Sequence, residues 1–394
     1  MAVFNADGSP RYQRNVNLNA PFTTNFAAGL FAAGNRVTFA VVGIDAYGAR
    51  APLMSAPTVE VRDSGVGITH RLPQIMGLDG AGTVAALDAD ETRLQLGQPV
   101  LVHPGITCER CEFCLRGHGV LCTAMSLLGE HRDGTFAQYV SLPARNVFAL
   151  PPGMGFAEAA ALGVNHLTAW RMVVSKAQLK SWETVLIFGV GGGVSLAALQ
   201  LAKRIGARCI VTSRDAAKLQ RARALGADEV IHAPPDDVAK TVLALTGGRG
   251  VDVVIENVGA AVWASAMKSL VRGGRLVTCG ATTGDMPGAD LRRLFIRQLQ
   301  VLGSTLGDLS EMADLLASCA RAPLQPVIDS RYPLDDVHAA LSRLESGQQF
   351  GKVVIELFPD VAPQHVARIK EKLGARSIGE IVSYAHRAGF VSAC

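Results

Sequence analysis

Four of the chain's eight cysteines fall in one short stretch, "CERCEFCLRGHGVLC". Cys108, Cys111 and Cys114 are separated by two residues each, and Cys122 follows after seven more residues. Thiols at these gaps gather on a tight loop, which is the pattern of a metal site rather than of a disulfide framework. Four thiolates fill a tetrahedron and leave no open position for water or substrate, so a metal held there is closed off from chemistry. Zinc and a rubredoxin-like iron both fit the ligand set, as does a cluster of reduced thiols. His118 lies inside the stretch and could replace a thiolate, but four cysteines already suffice. The remaining cysteines, Cys209, Cys279, Cys319 and Cys394, are scattered without pattern.

A second chemical motif is "FGVGGGVS", placed between an apolar run and a helical one. Glycines there permit a tight turn and close approach of backbone to a pyrophosphate, which the free N–H groups of the following helix attract. Gly189 and Gly192 match the first two glycines of a G-x-x-G-x-x-[GA] pattern, with Ser195 as the third small residue. The next strand decides the cofactor. An NAD site normally ends that strand in an acid for the ribose 2′-hydroxyl. Here "IVTSRDAAK" sets Ser213 and Arg214 in that place and Lys218 one turn later. A hydroxyl and two cations suit a 2′-phosphate, so NADP(H) is expected ahead of NAD(H); Asp215 is the residue that keeps NAD(H) open.

The elements around these motifs divide the chain. With 394 residues, 49% hydrophobic and 18% charged, it has the composition of an ordinary compact protein of two or three domains. A net charge of +4, with no run of like charges and no stacking array, argues against nucleic acid. The amino terminus lacks a basic-then-apolar leader, and the uncharged run Thr184 to Ala202 is broken by glycines. No membrane segment is read, and a reducing cytoplasm is expected. Up to about Leu150, short apolar runs such as "RVTFAVVGI" and "QPVLVHPGI" are bounded by turn residues, as in a mostly β domain. From Pro151 the texture changes to a helix, "FAEAAALGVNHLTAWRMVVSKAQL". Six buried strands then alternate with helices, which describes a doubly wound parallel sheet. The run "FGKVVIEL" reads as a strand returning to the first domain. The stretch 358–394 reads as an extension carrying two short amphipathic helices.

Taken together, "GLDGAG", "CERCEFCLRGHGVLC", "GTFAQYV", "LTAW", "FGVGGGVS", "LGADEVI", "VDVVIENVG", "GRLVTCGATTG" and "FGKVVIEL" resemble the medium-chain dehydrogenase/reductase superfamily, over roughly Arg36 to Leu357. The nearest branch is that of zinc-binding alcohol dehydrogenases and quinone-reductase-like proteins. The resemblance implies an α/β protein: a GroES-like domain at 1–163, with the cysteine lobe at about 106–124, and a Rossmann domain at 164–307. Residues 308–357 would return to the first domain. It further implies one structural zinc on Cys108, Cys111, Cys114 and Cys122. Gly189, Gly191, Gly192, Gly193, Val194, Val258 and Gly280 would lie against the cofactor, with Lys352 aimed at its pyrophosphate. A homodimer or homotetramer acting on a small molecule is expected.

Alcohol-oxidising members of that superfamily also hold a catalytic zinc. The positions of its ligands correspond here to Asp45, Leu78 and Val164, and leucine and valine cannot ligate. The expected activity is therefore NADPH-dependent reduction, without a catalytic metal, of an activated double bond (enone or enoyl) or a quinone. Asp45, Tyr47, Asp79, Asn165 and His166 are the candidates for proton donation and for stabilising the enolate. The alternatives are an alcohol or aldehyde oxidoreductase whose metal sits on Asp45, Asp79 and His166, and a non-redox use of the fold. The segment Ala51 to Arg71 is longer than the family's usual connection and would border the substrate cleft.

Overall fold

The computed structural model describes residues 2–4, 10–13, 36–44, 74–87 and 91–357. Asp45, Tyr47, the long connection at Ala51 to Arg71 and the expected helices after residue 357 lie outside them. The chain begins with strands β1 (Ala2–Phe4), β2 (Pro10–Gln13) and β3 (Arg36–Ile44), followed by β4 (Asp79–Leu87), β5 (Pro99–Val102) and β6 (Gly105–Ile106). The cysteine lobe carries the single turn α1 (Glu112–Leu115), after which come β7 (Ser126–Leu127), β8 (Tyr139–Pro143) and β9 (Val147–Ala149). Helix α2 (Phe156–Trp170) runs into a π-helical turn, Arg171–Lys176.

Strands and helices then alternate: β10 (Thr184–Ile187), α3 (Gly193–Ile205), β11 (Arg208–Thr212), α4 (Ala216–Ala224), β12 (Glu229–Ile231) and α5 (Pro235–Leu245). The series continues through β13 (Val251–Glu256), α6 (Ala260–Ser269), β14 (Leu270–Thr278), α7 (Leu291–Ile296) and β15 (Gln300–Gly303). It closes with α8 (Leu309–Arg321), β16 (Ile328–Pro333), α9 (Val337–Glu345) and β17 (Lys352–Glu356).

Six of these strands form one parallel sheet in the order β12-β11-β10-β13-β14-β15. The strand order reverses between β10 and β13, which opens the crevice where such sheets bind ligands. "TVLI" shows why the strands are apolar throughout. Val185 and Ile187 enter the core shared with α2 and α3, while Leu186 enters the core shared with α5 and α6. Both faces are covered, as a parallel sheet requires. The second sheet has seven strands, ordered β16-β17-β3-β4-β5-β9 with β8 paired to β3. Strand β17 pairs antiparallel with β3, so "FGKVVIEL" does rejoin the first domain.

Helix α2 joins the two sheets. Its sequence is apolar nearly all round, and twelve of its residues, Ala157 and Ala159 through Ala169, are buried, as expected of a helix packed on every side. It kinks at the 163/164 boundary, where Gly163 is the single non-helical residue.

The cysteine lobe is held to the rest of the protein by a buried charge network. Asp308 is the N-cap of α8 and forms a capping box with Glu311. Its Oδ1 also accepts the N–H of Val120 from the lobe at 2.6 Å. Arg171, at the end of α2, places Nη1 3.2 Å from Asp308 Oδ2 and 2.6 Å from Glu311 Oε2. The Ser175 hydroxyl donates to the remaining Glu311 oxygen. His103 adds a contact of 2.8 Å between Nε2 and the Gly307 carbonyl. Removing the only cation of this network leaves two buried carboxylates facing each other. Arg171→Met is therefore expected to cost about 3–5 kcal/mol in urea unfolding. Arg171→Met combined with Glu311→Gln should cost less than the two single changes added together; strict additivity would show that the three groups are not coupled.

Candidate active site and metal lobe

Among the described residues, one group of His, Cys, Asp and Glu side chains has the geometry to hold a metal: Cys108, Cys111, Cys114 and Cys122, with sulfurs all within 4.8 Å of one another. Backbone N–H groups of Cys108 and Ala124 point at Cys122 Sγ, at 3.3 and 3.4 Å, and would support a thiolate there. The Cys111 thiol is drawn down to about 6, chiefly by the N–H of Cys114. Cys114 is pushed up to about 11 by burial. Four sulfurs so placed fit a closed tetrahedral zinc.

Strand β4, the middle of α2 and the start of β17 meet around Asp79. Leu78 and Val164, where a catalytic metal would need ligands, are buried apolar residues. Between them sits Asp79, only 1% exposed. Its Oδ1 accepts the N–H of Val164 at 2.5 Å, and its Oδ2 accepts Lys352 Nζ at 3.0 Å. Burial raises the Asp79 carboxyl, opposed by the Lys352 charge and the Val164 N–H. Gly163 makes this possible. A Cβ there would stand 2.2 Å from Asp79 Oδ1, so the helix opens at a residue with no side chain and the carboxylate occupies the gap. Lys352, expected at the pyrophosphate, is thus paired with the cleft carboxylate.

The other candidates separate. His166 turns toward α3, where its Nε2 meets Gln200 Oε1 at 2.9 Å, and Gln200 Nε2 in turn donates to the Gln325 carbonyl at 2.7 Å. Burial pushes His166 down to about 4, so it stays neutral. Asn165 is 2% exposed, and neither amide atom has a hydrogen-bond partner. It lies against Gly193 at the head of α3.

The glycine turn is built for close approach. Gly189 and Gly191 have φ of +66° and +120°, a region that disfavours other residues. Gly192 caps α3 without a side chain, leaving the helix N–H groups free for an anion. Val258 packs beside Gly189, and Gly280 lies on Asn257 in the neighbouring loop. The Ser195 hydroxyl donates to the Phe188 carbonyl at 2.8 Å, so the third small residue ties helix to strand. Buried Glu256 accepts the N–H of Gly259 at 2.6 Å and the Thr278 hydroxyl at 3.1 Å, and so shapes the turn after β13. Sequence reasoning passed over Glu256, though an acid ending the apolar run "VDVVIE" was a signal.

At the end of β11, Asp215 accepts the N–H groups of Ala217 and Lys218 at 2.8 and 3.3 Å, and so serves as the N-cap of α4. Ser213 Oγ accepts the Asp215 N–H at 3.1 Å, and the Arg214 side chain is exposed. Lys218 crosses Gly191 and bonds the Gly347 carbonyl. The bare helix head, the glycine turn and these cations fit a dinucleotide.

Comparison with known proteins agrees with this geometry. Residues 32–152 match the alcohol dehydrogenase GroES-like domain, and residues 193–321 match the zinc-binding dehydrogenase domain. An alcohol dehydrogenase of Geobacillus stearothermophilus is 28% identical over 322 residues, covering 78% of this chain and 94% of that protein. The crystal structure of an NAD-dependent alcohol dehydrogenase superposes with a TM-score of 0.76 at 36% identity, covering 83% of this chain and 94% of the other. A 2-octenoyl-CoA carboxylase reductase, solved with NADP and 2-octenoyl-CoA, gives a TM-score of 0.74 at 27% identity, over 86% of this chain and 84% of its own. The chain belongs to the zinc-binding dehydrogenases of the medium-chain dehydrogenase/reductase superfamily and is an NAD(P)-dependent oxidoreductase of that type.

The buried neutral His166 gives the fold a pH dependence of known sign. Its folded value of about 4 lies below the ordinary 6.5, so the unfolded chain binds more protons between those limits. The stability it permits is complete above pH 6.5 and is lost as pH falls toward 4, by up to about 3 kcal/mol. Urea unfolding at pH 7.5, 6 and 5 should show this loss in the wild type and a shallower one in His166→Phe. Equal slopes would place the proton uptake elsewhere.

Proposed function

We propose that the protein is an NADPH-dependent reductase of an activated double bond (enone or enoyl) or a quinone, working without a catalytic metal. The observation that carries this reading is the cleft floor, where Leu78 and Val164 are buried apolar groups and Asp79 is bonded to Lys352. Leu78 and Val164 cannot ligate, and Asp79 beside them is paired with Lys352, so alcohol activation by a Lewis acid has no ligand set among the described residues. Hydride transfer to the β-carbon of an unsaturated carbonyl needs no such acid. The similar reductase solved with NADP and 2-octenoyl-CoA supports the same class.

When bound, NADPH supplies the hydride. The turn from Gly189 to Gly193 and the head of α3 would hold its pyrophosphate, and Ser213, Arg214 and Lys218 its 2′-phosphate. The cysteine lobe would hold one structural zinc. With Asp79 and His166 engaged by Lys352 and Gln200, the proton donor falls to Asp45, Tyr47 or solvent. The boundaries 1–163, 164–307 and 308–357 remain our division of the chain, and the cytoplasm our placement; among the described residues no helix is long and apolar enough to cross a membrane.

The test is turnover with NADPH and with NADH across a panel of enones, enoyl thioesters, quinones and alcohols, together with metal analysis. One zinc per chain, reduction of the unsaturated substrates and a preference for NADPH are expected. Arg214→Ala combined with Lys218→Ala should reduce that preference by about tenfold or more, the loss of two phosphate contacts. Alcohol oxidation with two zincs per chain would overturn the reading.

We also propose a two-fold homodimer formed through the edge strand β15. Met286, Leu291, Phe295, Ile296 and Val301 are exposed apolar residues on α7, β15 and the loop before them. An open sheet edge beside such a patch is self-complementary about a two-fold axis. Light scattering should give a dimer for the wild type and a monomer for Phe295→Asp; a monomeric wild type would remove the proposal.

A further inference from the structure

The carboxyl end of β12 holds a group that the proposed cofactor site leaves unused, the imidazole of His232. Strands β11 and β12 run parallel, with Val211 beside Val230 and Thr212 beside Ile231. One residue further, the N–H of Ser213 still reaches the Ile231 carbonyl at 3.4 Å, so His232 comes level with Ser213 at the strand ends. Neighbouring strands lie about 4.8 Å apart, and ligands of an open α/β sheet bind outside these ends. His232 therefore borders the place where the adenosine ribose of a dinucleotide meets the end of β11.

The ring is turned back toward that strand end. Its Nε2 lies 3.1 Å from the Arg214 carbonyl. A carbonyl only accepts, so Nε2 carries the hydrogen and donates it. Both His232 and Arg214 are exposed. Water could satisfy this carbonyl equally well, so the bond is not there to rescue a buried group. Its effect is on direction. On the other side of the turn, the Ser213 hydroxyl accepts the Asp215 N–H, and the Asp215 carboxylate caps α4. The backbone from Ser213 to Asp215 is thus tied to α4 at one end and to β12 through His232. A long arginine side chain loses rotamer freedom when it binds an anion. A turn already held in place has less left to lose, so it binds more tightly.

We propose that His232 is a positioning residue for cofactor selectivity: by holding the Arg214 carbonyl, it sets the Ser213–Arg214 turn to receive the 2′-phosphate of NADP(H). The inference rests on the 2′-phosphate reading of the preceding section. It adds to Ser213, Arg214 and Lys218 a residue from the next strand, which acts through Arg214 and does not itself bind the phosphate. Selectivity is then a property of two strand ends together.

Titration of the full-length protein with NADPH and with NADH, each followed by its own fluorescence, tests it. The two cofactors differ only in the 2′-phosphate, so the ratio of their dissociation constants isolates that group. His232→Leu removes the donor and should weaken NADPH about fivefold, the equivalent of one hydrogen bond, with NADH unchanged. His232→Gln, whose amide nitrogen can donate to the same carbonyl, should restore most of the lost affinity. In an Arg214→Ala background, His232→Leu should add little, since the side chain it positions is gone.

Equal weakening of NADPH and NADH would make His232 a support of the adenosine pocket as a whole, and unchanged NADPH binding would leave its bond without effect; either result sinks the inference. So would a His232→Gln no better than His232→Leu, or a loss that adds in full to that of Arg214→Ala, because the ring would then act on the phosphate directly. A wild type that binds NADH as tightly as NADPH would remove the 2′-phosphate reading and this inference with it. A wild-type preference for NADPH that survives His232→Leu would overturn the inference alone.

Discussion

The ion pair between Asp79 and Lys352 is the constraint on which the cleft depends. It brings together β4, β17 and the centre of α2 from three distant parts of the chain, and both charges are almost wholly buried. Removing two charges from water is expensive, and the attraction between them offsets that cost only if the remaining hydrogen-bonding capacity is used. Here it is used. The second Asp79 oxygen takes the Val164 N–H, which is available because α2 opens at Gly163. Lys352 is held in turn by its strand. Its own N–H donates to the Val327 carbonyl at 2.8 Å, and the N–H of Gly351 beside it donates to Gly191 at 2.9 Å, in the phosphate turn. A single strand start therefore touches both the cleft carboxylate and the cofactor cradle, so the two halves of the site cannot shift independently.

That arrangement also bears on our proposal of a cleft without a catalytic metal. A catalytic metal needs several ligands converging on a point that substrate or water can reach. Around Asp79 the neighbouring positions are leucine and valine, and the cation is an ammonium on a strand. An isolated carboxylate in this apolar floor would be destabilising, whereas a paired one has no net charge to attract a divalent ion. In the proposed reading, the apolar groups at Leu78 and Val164 and the pairing of Asp79 act together against metal binding.

Much of this was legible in the sequence. Short spacings fixed the cysteine lobe, because its ligands lie within one loop. The alternation of apolar runs with helical stretches gave the six-stranded sheet and its glycine turn. What could not be read were contacts between residues far apart in the chain. Asp79 and Lys352 are 273 residues apart, and Arg171 and Glu311 are 140 apart. Composition marks such residues as charged and says nothing about whether they are buried or paired. His166 and Asn165 are adjacent, yet one turns to Gln200 and the other to Gly193. On a helix buried on every side, periodicity does not distinguish one face from another.

Asp215 shows how one residue can serve the fold and still bear on the choice of cofactor. As an acid just past β11 it was the argument for a ribose 2′-hydroxyl and so for NAD. In the fold its carboxylate accepts two N–H groups at the head of α4. An N-cap of this kind is worth about 1 kcal/mol to its helix, and the same oxygen cannot serve the ribose without giving it up. Both N–H groups bond Oδ1, so the cap leaves Oδ2 open, and in holding the first turn of α4 the acid fixes where Lys218 begins. Ser213 accepts the Asp215 N–H, Lys218 bonds the Gly347 carbonyl and Arg214 is exposed. The residue that makes the case for NAD thus also positions Lys218, one of the residues behind our proposal of a 2′-phosphate.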